Sequence, residues 1–480
     1  MKRLFLAGSL GLLTAFTSTH GANFTTSPQF NVPEIGAGVG LIDQQKERMI
    51  GEKVYREVQR QMPVAQNPWL EDQLFSVFSH LLSQTQMGQP IGLLIINDPQ
   101  INAFAVPGGL FALNTGLVTS ARNMDEVAGV MAHEIAHVTQ RHYSRSQEAF
   151  KGQGLLALAG VLVVGALVAS QADGDAGAAV MMGSQAALMD KQLTYSRNQE
   201  READRIGMQY MYTAGYNPQS MADFFEVMHR ATSRVSFLPD FWFTHPLTTE
   251  RMSEARLRAN QLPRVKSSLR DEEFDILKQY TLVVSNQATE QQLQVLASRN
   301  NFAAQLALAA FYTRQGDYAL AQQTLDQAKN HRRLHHLISL IQTDIYLGQN
   351  KLSEAYKVIS SPARIMPENR ALNYKLAEVL IRQNQPAEAQ ALVQKFLNRN
   401  ERDLSAWRLM QQAANIDRSS PLRTVNVLRY RAELQYWSGW EEEAIKSLLH
   451  AQRLAKDNQA MTAKLKTRTT EMQRERQLKI

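Results

Sequence analysis

The stretch MDEVAGVMAHEIAHVTQRHYS, residues 124–144, decides how the rest of the chain is read. Asn123 can cap a helix beginning there, with Glu126 three residues on in a capping-box-like pattern. Val127, Met131, Ile135 and Val138 form an apolar stripe that would pack the helix, running to about Ser144, into a domain. His133 and His137 stand one turn apart and about 40° apart around the helix axis, so both imidazoles can reach one metal ion. Glu134 lies beside the pair without being needed as a ligand, placed to take a proton from an activated water. His142 falls toward Val138, away from the pair, and reads as structural.

Outward from that helix, Ile91–Ile96, Ile101–Val106 and Leu110–Leu113 are short apolar runs separated by Asn97-Asp98-Pro99 and Pro107-Gly108-Gly109. Three such runs joined by short turns suggest a small antiparallel sheet. On the other side, a helix spans about Asn198 to Ala214, closed by Gly215 and Pro218, and it carries Glu200 and Asp204 one turn apart. A zinc hydrolase with two histidine ligands needs a third protein ligand and an open position. A metal-bound histidine usually gives its other N–H to an acceptor. Glu200 as ligand and Asp204 as that acceptor would meet both demands, while Arg201 and Glu202 read as solvated helix charges.

Taken together, His133-Glu134-x-x-His137, Ser196-Arg197-x-x-Glu200-x-x-Ala203-Asp204, and Thr244-His245-Pro246 with Arg251 downstream resemble the M48 zinc metallopeptidases over roughly residues 40–260. The strand Asn102-Ala103-Phe104-Ala105 is similar to that family too. The resemblance implies a mainly α, zincin-like domain with one zinc ion on His133, His137 and Glu200, and Glu134 as catalytic base. An oxyanion formed during peptide hydrolysis needs a further donor, for which His245 and Arg251 are the candidates. His245 has a second reading, as an inhibitory fourth ligand that holds the enzyme latent. Residues 102–105, if they form a sheet edge, can hold an extended peptide by main-chain hydrogen bonds.

Composition sets the frame for this reading. The 480 residues are 44% apolar and 20% charged, which is globular and allows two or three compact units. Without cysteine, disulfides, thiolate nucleophiles and Cys-ligated metal centres are excluded. A net charge of +7 is no signature of nucleic-acid binding. Met1-Lys2-Arg3, the apolar run Leu4–Phe16 and the small residues to Ala22 read as a cleavable export signal. Residues 155–170 are uncharged and apolar, and read as a lid or plug near the site, with membrane-surface contact or a true span as alternatives.

The C-terminal half repeats. Tyr312, Ala321 and Leu325 recur 34 residues later as Tyr346, Ala355 and Ile359, and after a further 34 as Leu380, Ala389 and Val393. Small and large apolar residues at this period resemble tetratricopeptide repeats, an α-solenoid whose helix pairs bury their faces on one another. The expected organisation is a signal peptide (1–22), a metallopeptidase domain (23–265) and a repeat domain (270–480). The whole chain is similar to a periplasmic branch of the M48 family. That implies protein substrates among outer-membrane β-barrel proteins, contact of the repeats with their assembly machinery, and a chaperone-like role in quality control. Two other classes stay open: a mainly non-proteolytic assembly factor, or a membrane-associated quality-control protease.

Overall fold

The computed structural model describes residues 44–149, 197–232, 245–265, 268–331 and 334–477. The leader and the apolar run at 155–170 lie outside them.

Helices α1 (Gln44–Gln61) and α2 (Pro68–Leu82) come first. Asn67 caps α2 by accepting from Leu70 N–H, and Pro68 supplies the pre-set first turn. The three expected strands are β1 (Gly92–Ile96), β2 (Ala103–Val106) and β3 (Leu110–Asn114). The sheet is mixed, which corrects the antiparallel expectation. Its order is β1-β3-β2, with β1 parallel to β3 and only β2–β3 antiparallel. Pro107, Gly108 and Gly109 close the β2–β3 hairpin, and both glycines adopt positive φ (84° and 81°) that other residues resist. The Asn97-Asp98-Pro99 turn instead carries the chain across the sheet, because the antiparallel neighbour of β1 is the α1–α2 linker. Val64 bridges Ile96, and Ala65 N–H donates to the Ile95 carbonyl at 2.8 Å.

After the short helix α3 (Thr115–Ser120) comes α4 (Met124–Thr139), which is buried along nearly its whole length. Asn123 accepts from Glu126 N–H at 2.9 Å, and the Glu126 carboxylate accepts from Arg122 N–H at 2.7 Å. The expected single helix to Ser144 is broken at Arg141, whose φ of 51° is left-handed, and α5 (His142–Ala149) starts afresh. Helices α6 (Arg197–Thr213), α7 (Gln219–Thr232) and α8 (Thr249–Ala259) complete this half. Gly207 lets α6 cross α4 closely, since a Cβ there would stand 3.1 Å from His133 N. That crossing brings the acidic turn of α6 over the histidine pair.

From α9 (Ser268–Val284) and α10 (Glu290–Ala297) onward the described chain is helix pairs. These are α11 (Phe302–Gln315) with α12 (Tyr318–Lys329), α13 (His336–Gly348) with α14 (Leu352–Ile365), and α15 (Arg370–Arg382) with α16 (Pro386–Leu397). Then come α17 (Leu404–Ile416) with α18 (Arg423–Trp437), and α19 (Glu441–Leu454) with α20 (Gln459–Gln477). The 34-residue period is written in the caps as well as in the core. Asn301, His335, Asn369 and Asp403 each accept a backbone N–H at a helix start. Gly316, Asn350 and Asn384, spaced likewise, take the left-handed turn between paired helices.

The two halves share a core. Ile50, Val54 and Val58 of α1 pack with Ile96 and Leu110 of the sheet and with Leu428, Tyr436 and Leu448 of the last helices. Arg56 reaches across to Glu441 at 2.7 Å. On α2, Trp69 Nε1–H donates to His336 Nε2 at 2.5 Å, and Glu71 binds Arg370 at 2.6 Å.

Candidate metal centre

His133 and His137 project from one face of α4 and Glu200 reaches them from the first turn of α6. His245 opens the segment that leads into α8, whose start is capped by Thr248. These four side chains are buried, and one ligand atom from each lies within 4.8 Å of all the others. His133 Nε2 is 3.0 Å from His137 Nε2 and 3.3 Å from His245 Nδ1. Glu200 Oε1 is 3.1 Å from His245 Nδ1 and 3.3 Å from His137 Nε2. A zinc ion with bonds of about 2.0–2.1 Å in a tetrahedron sets its donors roughly 3.3 Å apart. The donor set therefore fits zinc in ligand type, number and spacing.

Glu134 lies beside the set, with Oε1 3.4 Å from His245 Nε2. Burial pushes its carboxyl above the usual range. Asp204 Oδ1 is 2.8 Å from His133 Nδ1, the ring nitrogen turned away from the cluster. Burial opposes charge on His133, but Asp204 and Glu200 outweigh it and push the imidazole up to about 9. Burial alone would raise Glu200 and Asp204 too. The Arg251 guanidinium, first among several partners, holds both carboxyls below their ordinary values instead.

Arg251 stands differently from the oxyanion donor expected of it. Its Nε and Nη2 form a fork onto Asp204 at 2.7 and 2.8 Å, and Nη1 meets Glu200 Oε2 at 2.6 Å and the Pro246 carbonyl at 3.3 Å. A buried guanidinium spent on two carboxylates and a carbonyl is a clamp behind the ligands. Ser196 and Thr244 lie outside the described residues. Asn102 precedes β2, and Ala103, Phe104 and Ala105 run along it. That strand is at the sheet edge, in contact with α4. Sequence reasoning missed His142 and Glu202. The His142 ring is fully buried against His137, and Glu202 bonds both His142 and Arg145. No periodicity could reveal this, because it depends on the break at Arg141.

Comparison with known proteins agrees with this geometry. Residues 66–259 match peptidase family M48, and residues 346–413 match a tetratricopeptide repeat family. The chain belongs to the M48 peptidases and is a metalloendopeptidase with tetratricopeptide helical repeats behind its catalytic half. It is 31% identical over 412 residues to the beta-barrel assembly-enhancing protease of Escherichia coli (strain K12), covering 84% of each chain. The protein of the same name in Yersinia pestis is 31% identical over 393 residues, 80% of each. The mitochondrial metalloendopeptidase OMA1 of Bos taurus is 29% identical over 154 residues, 32% of this chain and 29% of that one.

Proposed function

We propose that this chain is a zinc endopeptidase of the periplasm, exported by a leader at residues 1–22, that acts in assembly and quality control of outer-membrane β-barrel proteins and degrades misassembled ones. The observation that carries the reading is the tetrahedron-sized set of His133, His137, Glu200 and His245 with Glu134 beside it. The relatives that span most of the chain bear a name for β-barrel assembly, which supports the substrate class.

A bound zinc ion would supply Lewis acidity and an acidified water. His133, His137 and Glu200 would hold it, Asp204 would orient the His133 ring, and Arg251 would anchor Asp204 and Glu200. Glu134 is the general base that takes a proton and returns it to the leaving amine, and burial raises its carboxyl's affinity for that proton. The β2 edge, Asn102 to Ala105, would hold the substrate as an added strand, reading backbone rather than sequence. The repeats would supply the surface for the assembly machinery.

His245 holds the fourth vertex of the set while its other ring nitrogen faces Glu134. A reacting group cannot stand between base and ligands until His245 leaves. Of its two expected roles, this supports the inhibitory ligand. His245→Ala should raise hydrolysis of an unfolded protein such as casein several-fold, whereas a loss would return His245 to the oxyanion role. In cells, Glu134→Gln should fold normally, lose hydrolysis and retain undegraded outer-membrane β-barrel proteins. Full rescue of a barrel-assembly defect by that variant would favour the non-proteolytic reading instead.

A further inference from the structure

His142 opens α5 because α4 stops at Thr139 and Arg141 turns the chain through a left-handed conformation. The turn folds the His142 ring back beneath His137. Its Nδ1 lies 2.9 Å from His137 Nδ1, and its Nε2 lies 3.1 Å from Glu202 Oε2. Arg145 Nη1 donates to the same Glu202 oxygen at 3.0 Å, and Gln199 Nε2 donates to the His142 carbonyl at 3.1 Å. Two elements, α5 and the turn of α6 that bears Glu200, thus fix one imidazole from several sides.

The proton positions follow by counting. A carboxylate accepts and does not donate, so His142 Nε2 carries an N–H toward Glu202. One proton occupies the 2.9 Å contact between the two Nδ1 atoms. His142, already protonated on Nε2, is the acceptor there, so that proton belongs to His137 Nδ1. The lone pair of His137 is then on Nε2, which faces His133 Nε2 at 3.0 Å and Glu200 Oε1 at 3.3 Å. His133 instead faces a carboxylate directly, its Nδ1 lying 2.8 Å from Asp204 Oδ1.

We propose that His142 and Glu202 are positioning residues for the metal ligand His137: Glu202 sets the tautomer of His142, and His142 accepts the Nδ1–H of His137 and turns its Nε2 lone pair toward the cation. This rests on the reading that His137 is a ligand. The two histidines of the motif are thereby oriented by different devices, a carboxylate for one and a histidine–carboxylate relay for the other.

The test uses the full chain and measures zinc affinity by competition with a chromogenic chelator, with the melting temperature of the metal-free protein beside it. His142→Leu should weaken zinc binding by about 10–100-fold. Glu202→Leu, at a partly exposed position, should weaken it by roughly 10-fold. His142→Asn, whose amide oxygen can still accept from His137, should stay within a few-fold of the parent. The metal-free melting temperatures should remain within a few degrees. His137→Ala serves as the control and should abolish binding. The proposal is overturned if His137→Ala loses zinc while both leucine variants hold it normally. It is equally overturned if affinity falls only in step with metal-free stability and asparagine gives no rescue. Normal zinc binding by His137→Ala would instead overturn the ligand reading itself.

Discussion

Arg251 and Arg370 are both guanidiniums enclosed by carboxylates, and one belongs to an open cluster, the other to a closed one. Around Arg370, the acids Glu71, Asp72 and Asp403 lie at 2.6, 3.0 and 2.9 Å. Their remaining lone pairs find protein donors: Asn67 N–H on Glu71, and Ala406 N–H with the Tyr374 hydroxyl on Asp403. That cluster is complete, and it ties α2 to the repeats. Around Arg251, Asp204 and Glu200 are held as firmly, but beyond them the imidazoles of His133, His137 and His245 converge with Glu200 on one point. A buried polar cluster that closes on itself is a fastener, and one left short of positive charge is a site.

Removing each arginine should separate these roles. Arg251→Met strips the clamp from two buried carboxylates and should cost roughly 3–5 kcal/mol of stability, with loss of zinc retention. Chemical denaturation and metal analysis would show both. Arg370→Met should cost less, because 17% of its side chain is exposed and water can reach the stranded acids. Its expected signature is faster proteolytic clipping between the halves, with zinc content and short-peptide hydrolysis kept. Zinc loss in Arg370→Met at an intact fold would erase the distinction.

The smallest expected effect lies at the same junction between the halves. Burial pulls His336 down from its ordinary 6.5 to about 4, with its Nε2 accepting from Trp69. The unfolded chain therefore binds more protons than the folded one between those values, and stability falls as pH drops through that window. His336→Gln cannot titrate and can still accept from Trp69. The slope of melting temperature against pH between about 4 and 6.5 should be shallower than in the parent. An unchanged slope would place the acid sensitivity elsewhere.

Much of this was legible in the sequence, for physical reasons that also mark where legibility stops. His133, His137, Glu200 and Asp204 are spaced by helix geometry, so their facing could be worked out before any fold was known. His142 obeys the same geometry only if the helix continues, and a left-handed arginine carries no signal that it does not. The sheet is mixed where an antiparallel one was expected because the turn after β1 looks like a hairpin, while β1 pairs in parallel with β3 and meets Val64, from the linker ahead of α2, on its other edge. The repeat was visible in its apolar positions, but its cap ladder was hidden. Asn301, His335, Asn369 and Asp403 do one job with three residue types.

The most direct test of the metal centre is an anomalous diffraction map recorded at the zinc edge from crystals of the zinc-replete protein. One strong peak is expected, at about 2.0–2.1 Å from His133 Nε2, His137 Nε2 and a Glu200 oxygen. A map with no peak there under replete zinc, or with its peak away from Glu200, would contradict the assignment of this cluster as the catalytic centre.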